Sequence, residues 1–294
     1  SPEDIGGCPL GCLGVPEFGT DFAMQMILDT QPTEFSDLIR IAGLAHGTDV
    51  WLGNAQTLIK EGKCTISTAI CTRDDIMTYL ISMGMDNAQS FTIMESVRKG
   101  KGLKPEWETA MREHNVPEWY IWSCKKIKYM FPKAHAAAYV MMAWRIAWFK
   151  IFQPLAYYAA FFNIRATSFN YELMCQGRER LEYHLEDYKK RKDTLTKKEQ
   201  DTMRDMRVVQ EMYARGFSFV PVDLYKAQAH RFQILDGRLM PALDTIEGLG
   251  DKAADAVVLA AMDGEFLSKD DFQNRTKVSK TVIALMDDLK LFGS

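Results

Sequence analysis

The stretch from Pro132 to Pro154 constrains this chain most. Pro132 suits the first turn of a helix, where a missing N–H costs nothing. The run that follows, from Lys133 toward Gln153, reads as one long helix. It is also the most apolar stretch of the sequence, but Arg145 and Lys150 interrupt it before it reaches the roughly 20 apolar residues a membrane span needs. It therefore reads as a buried helix with no membrane partner. Its start carries Lys133 and His135, followed by Ala136-Ala137-Ala138-Tyr139. The first turn is the positive end of the helix dipole, with unpaired N–H groups that suit an anion. His135 and Tyr139 are four apart and share a face, while the alanines keep that surface low enough for a flat base pair to lie against it.

The rest of the pattern is also mainly helical. Residues 1–30 hold Gly and Pro turns and then a short amphipathic run, 18–28. Helices are expected over 35–42, 49–60, 74–83 and 90–99, the last ending in Arg98-Lys99-Gly100-Lys101-Gly102. Pro117 opens another, with Tyr120, Cys124, Ile127 and Phe131 as its apolar face. Residues 176–215 interleave eleven basic with nine acidic side chains, which reads as a solvated helical pair. Past Gly216 the composition shifts: 217–224 is extended and apolar, and 232–240 alternates about Asp236-Gly237, a hairpin signal. The expectation is a mainly α chain whose last part, from about 216, is a small α+β domain.

Charge sharpens the functional reading. The formal net charge of −3 argues against a polyanion partner, but 95–150 holds eleven Lys/Arg against five Glu, a net of +6. Local field, not total charge, decides whether phosphate is held. Within it Trp122, Lys125, Lys126 and Lys128 interleave aromatic and basic groups, as strand-gripping surfaces do. The Arg98, Lys99 and Lys101 turn offers both charge and backbone N–H groups. No G-x-x-x-x-G-K-[ST] string is present, so a P-loop ATPase is not indicated. The six cysteines are scattered, with only Cys8 and Cys12 close, which reads as free thiols in a reducing cytoplasm. Neither a signal peptide nor an initiator Met opens the chain, as in a piece of a longer cytoplasmic protein.

Two further segments carry candidate contacts. Gly43-Leu-Ala-His-Gly-Thr-Asp-Val-Trp-Leu-Gly53 sets His46 and Thr48 in a glycine-flanked loop suited to hydrogen-bonding a ligand, and Arg73 precedes Asp74-Asp75. Near the C-terminus, Ile246-Glu-Gly-Leu-Gly250 followed by a small-residue helix is a helix-hairpin-helix pattern. Gly248 and Gly250 let backbone N–H groups approach a phosphate, and Lys252 adds charge. A glycine-less second copy follows, with Ser268-x-x-Asp271 as a capping box and Lys277, Ser279 and Lys280 at the next hairpin.

Over nearly its whole length the chain resembles the C-family replicative DNA polymerases, the PolC-type DNA polymerase III alpha subunits most closely. The strings that carry the resemblance are Val15-Pro-Glu-Phe-Gly-Thr20, the 43–54 loop and Arg73-Asp-Asp-Ile-Met77. Ile93-Met-Glu-Ser-Val-Arg-Lys-Gly-Lys-Gly102, 125–139 and Ile246-Glu-Gly-Leu-Gly250 complete the set. It implies a palm-to-fingers crossover over 1–30, helical fingers over 31–215 and a tandem helix-hairpin-helix domain over 216–294. It implies that His46, Thr48, Arg73, Lys125, Lys128, Lys133, His135 and Tyr139 border the incoming dNTP and nascent base pair. Arg98, Lys99, Lys101, Lys126, Gly248, Gly250, Lys252, Lys277, Ser279 and Lys280 would then meet primer–template DNA. Guanine-mimicking inhibitors would be expected at the same pocket. The family's Mg²⁺ ions sit on palm aspartates that include an Asp-x-Asp pair; no such pair occurs here, so the catalytic aspartates, the exonuclease and the sliding-clamp peptide are expected outside this chain. The competing readings are a non-enzymatic helix-hairpin-helix repair accessory, which needs no nucleotide pocket, and a helical protein-interaction module built on 176–215.

Overall fold

A computed structural model describes residues 1–293. Among them are fifteen α-helices and one two-stranded sheet, so the chain is mainly α. None of those helices is long and apolar enough to cross a membrane. The chain forms two compact units, Ser1–Gly14 with the residues from Ala147 onward, and Val15–Ile146.

In the unit Val15–Ile146 the helices begin where side chains can cap them. Thr20 accepts the Ala23 N–H at the start of Asp21–Thr30, and Asp86 accepts the Gln89 N–H at the start of Asn87–Arg98. At the start of Arg73–Ser82 the Asp75 carboxylate accepts the Thr72 N–H at 2.8 Å. Two expected helices are shorter than their patterns. The 49–60 helix survives only as Gln56–Lys60, because Leu52, Gly53 and Asn54 leave helical geometry and Gly53 has φ +67°. Buried Asn54 pins this irregular turn by donating to the carbonyls of Asp49 and Ser123, at 2.9 and 3.2 Å. The helix after Pro117 stops at Lys126, and Ile127 is already extended (φ −66°, ψ 131°). Phe131 is thus not part of that helix's apolar face; as the residue before Pro132 it is sterically steered away from helical backbone.

In the other unit the charged stretch is a helical pair, Arg178–Lys190 and Lys197–Ala214. Leu181, Leu185, Met206, Val209 and Met212 are buried in it, while pairs such as Arg191–Asp187 and Lys197–Asp201 lie outside. The strands Gln233–Leu235 and Arg238–Met240 pair antiparallel about Asp236 and Gly237, both with positive φ, the geometry of a two-residue hairpin. The extended stretch near Phe219 adds a third edge, with the Val220 N–H donating to Leu239 at 2.8 Å. Before Gly248 there is a 3₁₀ turn, Leu243–Thr245, where the sequence pattern calls for an α-helix; after it comes Asp251–Met262.

What ties residues 1–14 into this unit is Lys150, which is 5% exposed. Its ammonium donates to the carbonyls of Gly11 (2.8 Å) and Leu13 (2.7 Å) and pairs with Glu211 at 2.8 Å. All three N–H groups are used. Glu211 also accepts the Tyr158 hydroxyl at 2.6 Å, and Tyr157 donates to Leu13 at 3.1 Å. Burial pushes the lysine's pKa down, and Glu211 opposes that shift. Lys150 is accordingly a structural cation and not part of any exposed basic field.

Removing one member of such a pair leaves the other charge buried. Lys150→Met should destabilise the chain by about 3–5 kcal/mol, and Lys150→Met with Glu211→Gln by less than the two single changes summed. Urea unfolding of the three variants measures this; additive losses would mean the pair is not coupled.

Candidate nucleic-acid interface

In the unit Val15–Ile146 the non-helical segment 128–132 and the helix start at Lys133 gather the residues that the sequence marks as contacts. The Thr48 N–H donates to Tyr129 O at 2.9 Å, and the Lys128 N–H donates back to Thr48 O at 3.1 Å. The Met130 N–H donates to Arg98 O, and the Arg73 N–H to Phe131 O, both at 3.2 Å. The Lys133 N–H donates to an Asp74 carboxylate oxygen at 2.7 Å. Gly100 (φ +75°) lies so close that a Cβ there would stand 2.5 Å from Lys128 O, so only glycine lets the basic turn reach this segment. Four segments distant in sequence are brought to one place.

A row of rings lies along the result. Phe131 and His135 have centroids 5.0 Å apart, and His135 and Tyr139 4.5 Å. His46 is 5.5 Å from Phe131 and 6.4 Å from His135, and Tyr129 is 5.3 Å from Phe131. Tyr139 and Tyr129 are 42% and 45% exposed, so aromatic surface is open to a flat partner. Phe131 belongs to this row although the helical pattern put it in the core. Its signal was the following proline. Glu17, whose carboxylate is hydrogen-bonded to His46 Nε2, carried none.

The cations divide into two sets. Arg98 makes a bidentate bond to Glu95 (2.6 and 2.9 Å), Lys99 pairs with the same carboxylate, and Lys125 pairs with Glu108 at 3.0 Å. The Arg98 bond holds the Glu95 carboxyl down, to about 2. Lys126 lies over the Trp122 ring, 4.5 Å from its centroid. Arg73, Lys101, Lys128 and Lys133 make no ion pair among the described residues. Three of these, Lys101, Lys128 and Lys133, are exposed.

In the other unit two hairpins repeat one backbone design. Gly248 (φ +82°), buried Leu249 and Gly250 precede the helix Asp251–Met262. Lys277 (φ +64°), buried Val278 and Ser279 precede Lys280–Asp288. The first and third positions of each triplet are exposed, as are Lys252 and Lys280. Ser279 caps its helix by accepting the Val282 N–H, whereas Gly250 stands at the same position with an ordinary φ of −72°. A Cβ on Gly248 would stand 2.8 Å from Val282, but one on Gly250 would meet nothing within 4 Å. Ser268 accepts the Asp271 N–H as expected, while the Asp271 carboxylate accepts from Leu267 N and not from Ser268.

Beside the first hairpin His230 bridges Asp244 (3.0 Å) and Asp255 (2.8 Å). His230, Asp244 and Asp251 are the one group of three such side chains among the described residues close enough to share a metal ion.

Residues 10–115 match the finger domain family of the bacterial DNA polymerase III alpha subunit, and residues 216–292 match a helix-hairpin-helix family. The fold and the two surfaces thus define a polymerase finger region followed by a tandem hairpin module. The PolC-type DNA polymerase III of Bacillus subtilis is 53% identical over 285 residues, covering 97% of this chain and 20% of that protein. The PolC-type enzyme of Clostridium perfringens is 50% identical over 98% of this chain, again 20% of its own length. That of Streptococcus pyogenes serotype M5 is 49% identical over the whole of this chain. The chain belongs to the PolC-type DNA polymerase III family, and spans about one fifth of these curated relatives.

The two hairpin glycines should separate by role. Gly248→Ala should destabilise the chain by about 1 kcal/mol or more through its positive φ and the Val282 contact, whereas Gly250→Ala should leave thermal unfolding nearly unchanged. Equal melting temperatures for both would show that Gly248 is not conformationally required.

His230 gives a pH signature. Its hydrogen bond to Asp244, then that to Asp255, raises its pKa above the ordinary histidine value. The bridge therefore contributes fully below the unfolded-state value of about 6.5, and the contribution is lost as pH rises through the elevated native value. Stability of the wild type should fall over that window, and His230→Gln should flatten the fall. Parallel curves for both would rule the bridge out as the titrating element.

Proposed function

We propose that this chain is the nucleotide-positioning and duplex-holding part of a replicative DNA polymerase that copies primer–template DNA from dNTPs in the cytoplasm. The observation that carries the reading is the surface along 128–139, where the ion-pair-free Arg73, Lys101, Lys128 and Lys133 border the exposed rings of His46 and Tyr139 and the half-buried rings of Phe131 and His135. Cations without internal partners suit a triphosphate and template backbone, and exposed rings suit a base pair. On this reading Thr48 contributes mainly through its backbone. Lys125, Arg98 and Lys99 reach phosphate only by leaving Glu108 and Glu95, so they are secondary contacts. Lys126 would grip backbone alongside Trp122. The proposed domains are fingers over 31–215, entered through 1–30, and a duplex-binding module over 216–294.

In that module the N–H groups around Gly250 and Ser279, with Lys252, Lys277 and Lys280, would hold duplex phosphates without reading bases. Gly250 supports this most directly, because neither strain nor packing within the chain requires a glycine there.

The two-metal centre implied by the resemblance does not fit the residues of this surface. Its carboxylates are committed, Asp74 to the Lys133 N–H and Glu17 to His46. The Mg²⁺-binding aspartates, the exonuclease and the sliding-clamp contact belong, on this reading, to parts of the polymerase outside the chain. Guanine-mimicking inhibitors would compete at the His46–Tyr139 surface.

The test is paired. The purified chain should extend no primer in Mg²⁺, and Lys133→Ala in the complete polymerase should lower kcat/KM for dNTP about tenfold to a hundredfold, the size of a lost charge-assisted contact. Unchanged kcat/KM with a lower melting temperature would make Lys133 a structural residue and sink the reading.

A further inference from the structure

Glu17 stands directly after Pro16 in a turn, with φ +69°. Turns that place positive φ after a proline take glycine or asparagine there, because other side chains strain the backbone. Its side chain is 15% exposed, while that of its partner His46 is 36% exposed. The carboxylate is sheltered and the ring is open. Glu17 makes no other ion pair or side-chain hydrogen bond among the described residues.

A carboxylate oxygen accepts, so the Nε2 facing it carries the proton. In a neutral ring Nδ1 is then left as an acceptor, and it makes no hydrogen bond among the described residues. The rings of Phe131 and His135 stand edge-on to the imidazole, with centroids 5.5 and 6.4 Å away.

We propose that Glu17 is a positioning residue that fixes the tautomer and orientation of His46, so that Nδ1 accepts a hydrogen bond from the incoming nucleotide. The inference rests on the nucleotide-positioning reading of this surface and names one of its contacts. The ligand group must be a donor, which a phosphate is not: either the sugar 3′-hydroxyl or an N–H of the base. The backbone strain at residue 17 is kept because glycine, which would relieve it, has no carboxylate.

The first test needs no nucleotide. Long-range ¹H–¹⁵N spectra of the histidine-labelled chain should show His46 as a single Nε2–H tautomer. Glu17→Gly, which suits the positive φ and so preserves folding, should turn this into a mixture. Glu17→Gln, whose amide oxygen can accept the same N–H, should restore it. An Nδ1–H tautomer in the wild type, or an unchanged spectrum in Glu17→Gly, overturns the proposal.

The second test uses the complete polymerase. Glu17→Gly should raise KM for dNTP about threefold to tenfold, the loss of one neutral hydrogen bond, with Glu17→Gln close to wild type. If the 3′-hydroxyl is the donor, the penalty vanishes with dideoxynucleotides; if the base is, it persists. A tautomer that shifts while KM does not overturns the nucleotide contact of His46 but leaves tautomer control by Glu17 in place; the reading of the surface itself falls only if Lys133→Ala also leaves kcat/KM unchanged.

Discussion

The unit Val15–Ile146 depends on the backbone of six residues, 128–133. Residues 128–132 run between two helices and Lys133 begins the second, and a single non-helical segment cannot satisfy its own N–H and C=O groups. Thr48, Arg98 and the adjacent pair Arg73-Asp74 satisfy them instead, from three different parts of the chain. The same bonds that keep the segment from carrying orphan polar groups set His46, Arg73 and the basic turn beside Lys133. Site assembly and backbone satisfaction are therefore one requirement, and a change that breaks the ladder would disorganise the surface even if it touched none of the side chains that face a ligand.

Electrostatics then select among the many cations. Glu95 and Glu108 hold Arg98, Lys99 and Lys125, and Glu211 holds Lys150 in the interior of the other unit. An internal ion pair weakens the attraction of its cation for phosphate, because the carboxylate's charge must be displaced or outcompeted. The field that a polyanion meets is accordingly narrower than the +6 of residues 95–150. It is set by a few residues that lack internal partners, and the acids of the same segment shape it as much as the bases do.

Much of this was legible in the sequence because it is encoded locally. Pro132 opening a helix, the Asp236-Gly237 turn, Ser279 as a cap and the helical pair over 178–214 all depend on neighbours within a few residues. What was not legible depends on distant partners. Nothing near Glu17 says that it meets His46, and nothing near Asp74 says that it caps a helix begun by Lys133. Lys150 looked like one more base, because its burial is decided by Gly11, Leu13 and Glu211. The break before Phe131 was a different failure: the Phe-Pro step carried a local signal against helix, and apolar periodicity outweighed it.

The two hairpins carry this distinction between local pattern and backbone geometry further. Gly248-Leu249-Gly250 and Lys277-Val278-Ser279 share only the apolar middle residue, yet both place a positive φ first, a buried anchor second and an extended helix cap third. Glycine makes the first conformation cheap; lysine adopts it at a cost of order 1 kcal/mol. That cost is tolerated where packing of Val278 and capping by Ser279 hold the turn from both sides. In exchange the second hairpin gains a cation at the position where the first has none. The repeat is therefore one of backbone geometry rather than of residues.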